Sequence, residues 1–231
     1  MAALLCPLPD AHGAQGGGEL AKQLLSNTWD IEEPEVVLVY IDGRVPHGIG
    51  PHDVAIALVG ATFPDGFVKN KILEFTGPGI KDLSMDFRIG IDVMTTETSC
   101  LSSVWITDDT VRDYYENIGR PDDFSVLAPE DGAYYDSMVT VHLDEMESMI
   151  ALPFHPSKAY TIHELQKNPK EILGLIQDEC NQSLNGKVTM DLLSTIDDDG
   201  NIRCDQGIIA GCAGGMFENI CIASDILRGK S

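Results

Sequence analysis

Basic residues are scarce in this chain. Lys and Arg number 15 against 37 Asp and Glu, and the 231 residues carry a formal charge of −22 at pH 7. A surface this acidic repels phosphate backbones and anionic lipid heads, which excludes a general nucleic-acid binder. Long apolar runs are also missing. None approaches the roughly 20 residues that span a bilayer, so no membrane segment is expected. Met1 to Leu5 lacks both a basic n-region and an h-region, so no secretory signal is expected and the cytoplasm is the expected location. The six cysteines (Cys6, Cys100, Cys180, Cys204, Cys212 and Cys221) include no C-x-x-C pair, so no zinc ribbon or thioredoxin motif is written here. A disulfide framework is not expected without secretion. What the chain does have is core material. With 43% hydrophobic and 23% charged residues, it reads as globular rather than disordered. Its length suits one large domain or two small ones.

Strands and helices alternate along the chain. Residues 1–15, broken by Pro7, Pro9 and Gly13, read as irregular. A helix begins near Glu19, with Leu20, Leu24 and Leu25 on one side. The β-branched run from Val36 to Ile41 reads as a buried strand, and Pro51-His52-Asp53 opens a helix with an acidic first turn. Ile72 to Phe75 reads as a second strand ending at Gly77-Pro78-Gly79. Ser84 caps a helix expected to run through Phe87, Ile91 and Met94. Thr107 is expected to cap the next helix, which Gly119-Arg120-Pro121 stops. Tyr134 to Leu143 reads as a strand and Glu171 to Cys180 as a helix, with a turn-rich Asn181 to Gly186 after it. Residues 188–204 suggest a hairpin around Asp197-Asp198-Asp199-Gly200-Asn201. Gly207 to Ala210 reads as a short strand, Gly211 to Gly215 as a small-residue loop, and Met216 to Leu227 as a helix. This alternation argues for an α/β sandwich with a largely parallel sheet.

Two positions carry the best chemical signal. Cys212 lies in a small-residue loop between an expected strand and an expected helix, where a helix N-terminus favours a thiolate. Glu97, in Thr95-Thr96-Glu97-Thr98, is a carboxylate among hydroxyls at a helix end, suited to acid–base work or to supporting a metal ligand. The glycines near Cys212 are not a P-loop, because no Gly-Lys-Ser/Thr follows them. The Asp197 run fails the calcium-loop template, with Ile202 at the sixth position and Ile208 at the twelfth, and reads as a solvated turn. His47, His52, His155 and His163 lack partners at metal-ligand spacing and read as loop or core histidines. Arg44, Arg88 and Arg120 are candidates, by residue type alone, for reversing the negative potential around an anionic substrate.

Several segments, taken together, resemble the aconitase and isopropylmalate dehydratase family of iron–sulfur hydro-lyases, in its bacterial hydratase branch. They are Gly16-Gly17-Gly18-Glu19-Leu20, Gly50-Pro51-His52-Asp53-Val54-Ala55, Glu74-Phe75-Thr76-Gly77-Pro78-Gly79 with Leu83-Ser84, Met94 to Thr98, and Ala210-Gly211-Cys212 with Glu218. The resemblance implies an aconitase-like three-layer α/β/α sandwich, incomplete at both ends relative to the family. It divides the chain into an irregular segment at 1–15, an aconitase-like α/β domain at 16–180, and the start of a second α/β unit at 181–231 bearing the cysteine loop. It further implies that Cys212 matches one of three cysteines that hold a [4Fe-4S] cluster. Glu97 matches a glutamate that hydrogen-bonds near the cluster iron. The substrate implied is a small hydroxy-di- or tricarboxylate, from which the iron, as a Lewis acid, helps water to leave.

Departures from the family pattern shape the remaining expectations. Gly211, Ala213 and Gly214 stand where the family carries Ser before and Thr-Asn after the cysteine, and Val93 stands where it carries Asn. The C-x-x-C that supplies the other two cluster cysteines is not in the chain, and Asp10-Ala11-His12 only echoes the family's Asp-Ser-His segment. The swivel domain is also missing. One thiolate cannot hold a cluster that normally takes three. The expectation is therefore a central piece of a hydratase, inactive alone and completed by segments of the same parent chain or of a separate subunit. A non-catalytic binding or scaffold module derived from this fold, and a redox-sensing thiol at Cys212, are the competing readings.

Overall fold

The computed structural model describes residues 17–28 and 33–229. The expectations for residues 1–15, including Asp10-Ala11-His12 and Cys6, lie outside the described residues. The elements run α1 (Gly17–Ser26), β1 (Val36–Asp42), α2 (Pro51–Thr62), β2 (Ile72–Thr76), α3 (Met85–Asp92), β3 (Ser102–Trp105), α4 (Asp109–Asn117) and β4 (Ser137–His142). These are followed by β5 (Met149–Ala151), β6 (Ala159–Thr161), α5 (Ile162–Lys167), α6 (Pro169–Leu184), α7 (Gly211–Gly214) and α8 (Phe217–Leu227).

The four longer strands form one sheet in the order β3-β2-β1-β4, every pair parallel, while β5 and β6 make an antiparallel pair. This is the expected α/β class. Parallel neighbours need crossovers, and α2 and α3 supply the first two. Alternation along β1 sends Val37, Val39 and Ile41 into the core, where all three are fully buried. Leu73 and Phe75 of β2 join them, with Val54 and Leu58 of α2 and Ile91 of α3. Trp105 closes this core by stacking on Phe75, with ring centroids 4.1 Å apart. The other side of the sheet is more open, with Tyr40 and Met138 exposed. Two glycines permit close approaches between elements. Gly77 has φ +116°, and a Cβ there would lie 2.2 Å from the Ile41 carbonyl oxygen; a Cβ on Gly90 would lie 2.7 Å from Pro51.

Arg88, expected as a substrate-facing candidate, is instead a structural residue. It is 1% exposed and makes a two-pronged pair with Asp108, Nη1 to Oδ1 at 3.0 Å and Nη2 to Oδ2 at 2.6 Å. It also donates to the Leu83 and Ile80 carbonyls. The guanidinium thereby joins α3 to the start of α4 and satisfies carbonyls that burial would leave unpaired.

Several element boundaries differ from expectation, each for a local reason. Helix α3 stops at Asp92 rather than reaching Met94. There the Thr95 and Thr96 hydroxyls donate to the Asp92 and Val93 carbonyls and tighten the chain into a 3₁₀ turn. Asp108, not Thr107, caps α4, accepting from Val111 N–H; Thr107 instead bonds Ser125 and Leu127. Strand β4 begins at Ser137, and Tyr135 ahead of it donates to Glu74 at 2.8 Å. Helix α6 continues through Leu184 and ends where Asn185 takes φ +50°. The expected hairpin is reduced to one bridge, Ile196 to Ile202. Gly207 to Ala210 forms no strand, since no sheet edge pairs with it, and Ile208 is 78% exposed.

A second, smaller core gathers Leu152, Leu165, Leu173, Ile176 and Cys180, with Met190, Leu192 and Ile196 packed against it.

Candidate functional site

Glu97 sits on the 3₁₀ turn Thr95–Thr98, between α3 and β3. The turn's footing is a buried polar network. The Thr98 hydroxyl donates to the Thr95 carbonyl at 2.6 Å, and the Thr95 hydroxyl lies 3.4 Å from Ser103 Oγ. Ser103 in turn donates to Asp92 Oδ1 at 2.6 Å, and Trp105 Nε1 donates to the same oxygen at 2.9 Å. Thr95, Thr98, Ser103 and Asp92 are all buried. Burial pushes the Asp92 carboxyl above the ordinary carboxylate range, against the pull of its Ser103 and Trp105 bonds. Burial likewise pushes the Cys100 thiol up. Ser99 follows at φ +66°, and its carbonyl receives Asn70 N–H. With its neighbours locked, Glu97 itself stays half-exposed on a rigid platform.

His155, read from sequence as a loop or core histidine, reaches this turn. Its Nε2 lies 3.8 Å from Glu97 Oε2, and its ring stacks on Phe63 with centroids 3.9 Å apart. No spacing rule could have found this pair, because its members lie 58 positions apart.

Cys212 is exposed on α7. The structure makes this stretch a single helical turn rather than a loop. The helix expected after it is α8, which begins at Phe217, five residues on. The following helix is tied to α3 across a long stretch of chain. Glu218 accepts from Ser84 Oγ at 2.6 Å, and its N–H donates to Asp86 Oδ2 at 2.9 Å. Ser84 also caps α3, as expected, by accepting from Phe87 N–H. These bonds anchor the Cys212 segment at the first turn of α3, whereas Glu97 lies beyond its last turn. An eight-residue helix spans about 12 Å. No hydrogen bond or ion pair among the described residues joins Glu97 to Cys212.

Asp53, from the Gly-Pro-His-Asp stretch, is structural: it accepts from Gly50 N–H and Met149 N–H, both at 2.7 Å, and so fixes the start of α2 against β5. His47 and His52 border an open, mainly apolar groove of about 930 Å³ whose other wall includes Ile208, Ile209 and Ile222. Arg44 and Arg120 are exposed and paired with Asp82 and Asp123. Asp197 closes its own turn by accepting from Asp199 and Asn201 N–H groups. At the carboxyl ends of β1 and β4, His142 Nδ1 lies 2.7 Å from Asp42 Oδ1, and this contact pushes the imidazole above its ordinary range.

The donor set does not fit a complete [4Fe-4S] cluster. Cubane clusters are held by several cysteine thiolates. Cys100 and Cys180 are buried, Cys204, Cys212 and Cys221 are exposed, and no three His, Cys, Asp or Glu side chains converge as a metal site among the described residues. No described helix is long and apolar enough to cross a membrane.

A parallel α/β fold, a glutamate on a buried polar platform and a cysteine segment tied to α3 define a class that comparison with known proteins makes specific. The model of the aconitase family (aconitate hydratase) matches residues 11–231, and the chain belongs to that family. Its relatives include the 3-isopropylmalate dehydratase large subunit of Elusimicrobium minutum (strain Pei191), 24% identical over 206 residues, or 89% of this chain and 41% of the relative. The 2,3-dimethylmalate dehydratase large subunit of Eubacterium barkeri is 24% identical over 215 residues, 93% of this chain and 43% of the relative. The chain thus spans about two fifths of the length of the curated relatives it matches.

Proposed function

We propose that this chain is part of a hydro-lyase that removes water from a small hydroxy-di- or tricarboxylate. Family membership over residues 11–231 carries this reading. Relatives named as isopropylmalate and dimethylmalate dehydratases support the substrate class. Eliminating water breaks a C–H and a C–O bond on adjacent carbons, so a group must take a proton and the leaving hydroxyl must be assisted. Glu97 is suited to the proton role, because its carboxylate is exposed while its backbone is held by buried threonines. Cys212 contributes one thiolate to a cluster whose other ligands come from polypeptide beyond these residues. The donors among the described residues do not form that cluster by themselves. The matched relatives are named as large subunits, and the same reading gives this chain a protein partner.

The test is a complementation assay under anaerobic reconstitution with iron and sulfide. The chain alone should show no dehydratase turnover. Together with polypeptide carrying a C-x-x-C segment and a swivel domain it should turn over. Cys212→Ser should then abolish activity, and Glu97→Gln should lower kcat by about 10²–10⁴. Turnover by the isolated chain would overturn the divided-site reading.

A further inference from the structure

We infer that His155 is the positioning residue of Glu97, presenting Nε2–H to the carboxylate. The inference rests on reading Glu97 as the proton-handling group, and it adds the partner that aims it.

Three constraints fix the imidazole. Its ring stacks on Phe63, the residue that ends α2, at 3.9 Å and 24° between planes. Ser157 N–H donates to Nδ1 at 3.1 Å, and Ser157 Oγ lies 2.9 Å from the same atom. A backbone N–H can only donate, so Nδ1 must carry the lone pair, and the neutral ring holds its proton on Nε2. That nitrogen is the one facing Glu97, at 3.8 Å from Oε2. The nearest cation along the chain, Lys158, is engaged with Glu179 at 2.5 Å and does not compete.

The distance is within ion-pair range but longer than a hydrogen bond. The ring is held, whereas the Glu97 side chain is half-exposed, and a change of its rotamer would close the gap. One carboxylate oxygen is then held by the imidazole and the other is left to face a substrate. A rigid group orienting a mobile one is how a carboxylate on a short turn gains a defined direction.

Two-bond ¹H–¹⁵N correlation spectra of the 231-residue chain test this without cluster or substrate. Neutral His155 should be the Nε2–H tautomer. Its Nε2–H should exchange with water several-fold faster in Glu97→Ala than in the native chain. Glu97→Gln, which keeps an acceptor oxygen, should restore most of the protection, which a merely structural role for the glutamate would not. Ser157→Ala keeps the backbone donor and should keep the tautomer. A dominant Nδ1–H tautomer, or equal exchange in all three Glu97 forms, would overturn the inference. If the pair is present but Glu97→Gln leaves turnover of the complemented enzyme unchanged, the hydro-lyase role of Glu97 fails instead.

Discussion

Helices α2 and α8 make an instructive pair. Both are largely apolar, of 12 and 11 residues, and each carries one acid in its first turn, Asp53 and Glu218. Helix α2 buries seven residues, including Val54, Leu58 and Val59, whereas α8 buries none. Ile222, Ile226 and Leu227 of α8 are each more than half exposed. The difference lies in what surrounds them. Helix α2 is a crossover between paired strands and meets α3, β5 and β6; α8 is tied to α3 at its first turn, by Glu218. After Cys180 no described residue is buried. Apolar sequence therefore specifies a helix with a face to cover, and only the neighbours decide whether it is covered. An apolar face left open this way is characteristic of contact surfaces.

Three measurements would break or sharpen this contrast. The largest effect is expected in the packed half. Leu58→Ala should cost about 2–5 kcal/mol in urea unfolding, because Leu58 is 5% exposed within the main core. A cost below about 1 kcal/mol would mean that the core tolerates collapse around α2.

Next comes the buried platform under Glu97. Asp92 has its carboxyl raised by burial. The stability contributed by its protonated form is fully present below the ordinary carboxylate value of about 3.9, and is lost as pH rises through the raised folded value. Asp92→Asn removes this titration and keeps an oxygen for Ser103 and Trp105. The native chain should therefore lose stability relative to Asp92→Asn as pH rises from about 4 to 7. Unfolding midpoints at several pH values check it, and a flat difference would show that Asp92 does not titrate differently on folding.

The smallest effect belongs to α8. Ile222→Ala should change stability by no more than about 0.5 kcal/mol, since its side chain is 58% exposed. A cost comparable to that of Leu58→Ala would show that α8 is covered in solution, for instance by a second copy.

Legibility followed the same division. The β-branched run at Val36 to Ile41, the Ser84 cap and the glycine at Gly77 could be read directly, because strand period, cap chemistry and turn chemistry are local. The Arg88 role could not be read, because nothing near it in sequence announces Asp108, 20 residues on, as its partner. The Thr95 and Thr96 hydroxyls that end α3 early were visible as residues, yet the apolar positions Phe87, Ile91 and Met94 suggested continuation. The strand at Gly207 to Ala210 failed for want of a neighbour, since a strand exists only by pairing.

The candidate site divides in the same way. Glu97 and Cys212 were picked out by residue type and by family resemblance. That Glu97 stands on a buried network of Asp92, Ser103, Thr95 and Thr98, with His155 facing it, required the fold. The reason is one of range. Propensity, caps and alternation act over a few residues, so the sequence by itself determined the α/β order of elements from β1 to β4, the burial of β1, and the turn at Gly77-Pro78-Gly79. Burial, ion pairing and the meeting of side chains more than 50 positions apart depend on which elements pack together, and the tertiary structure alone decided them.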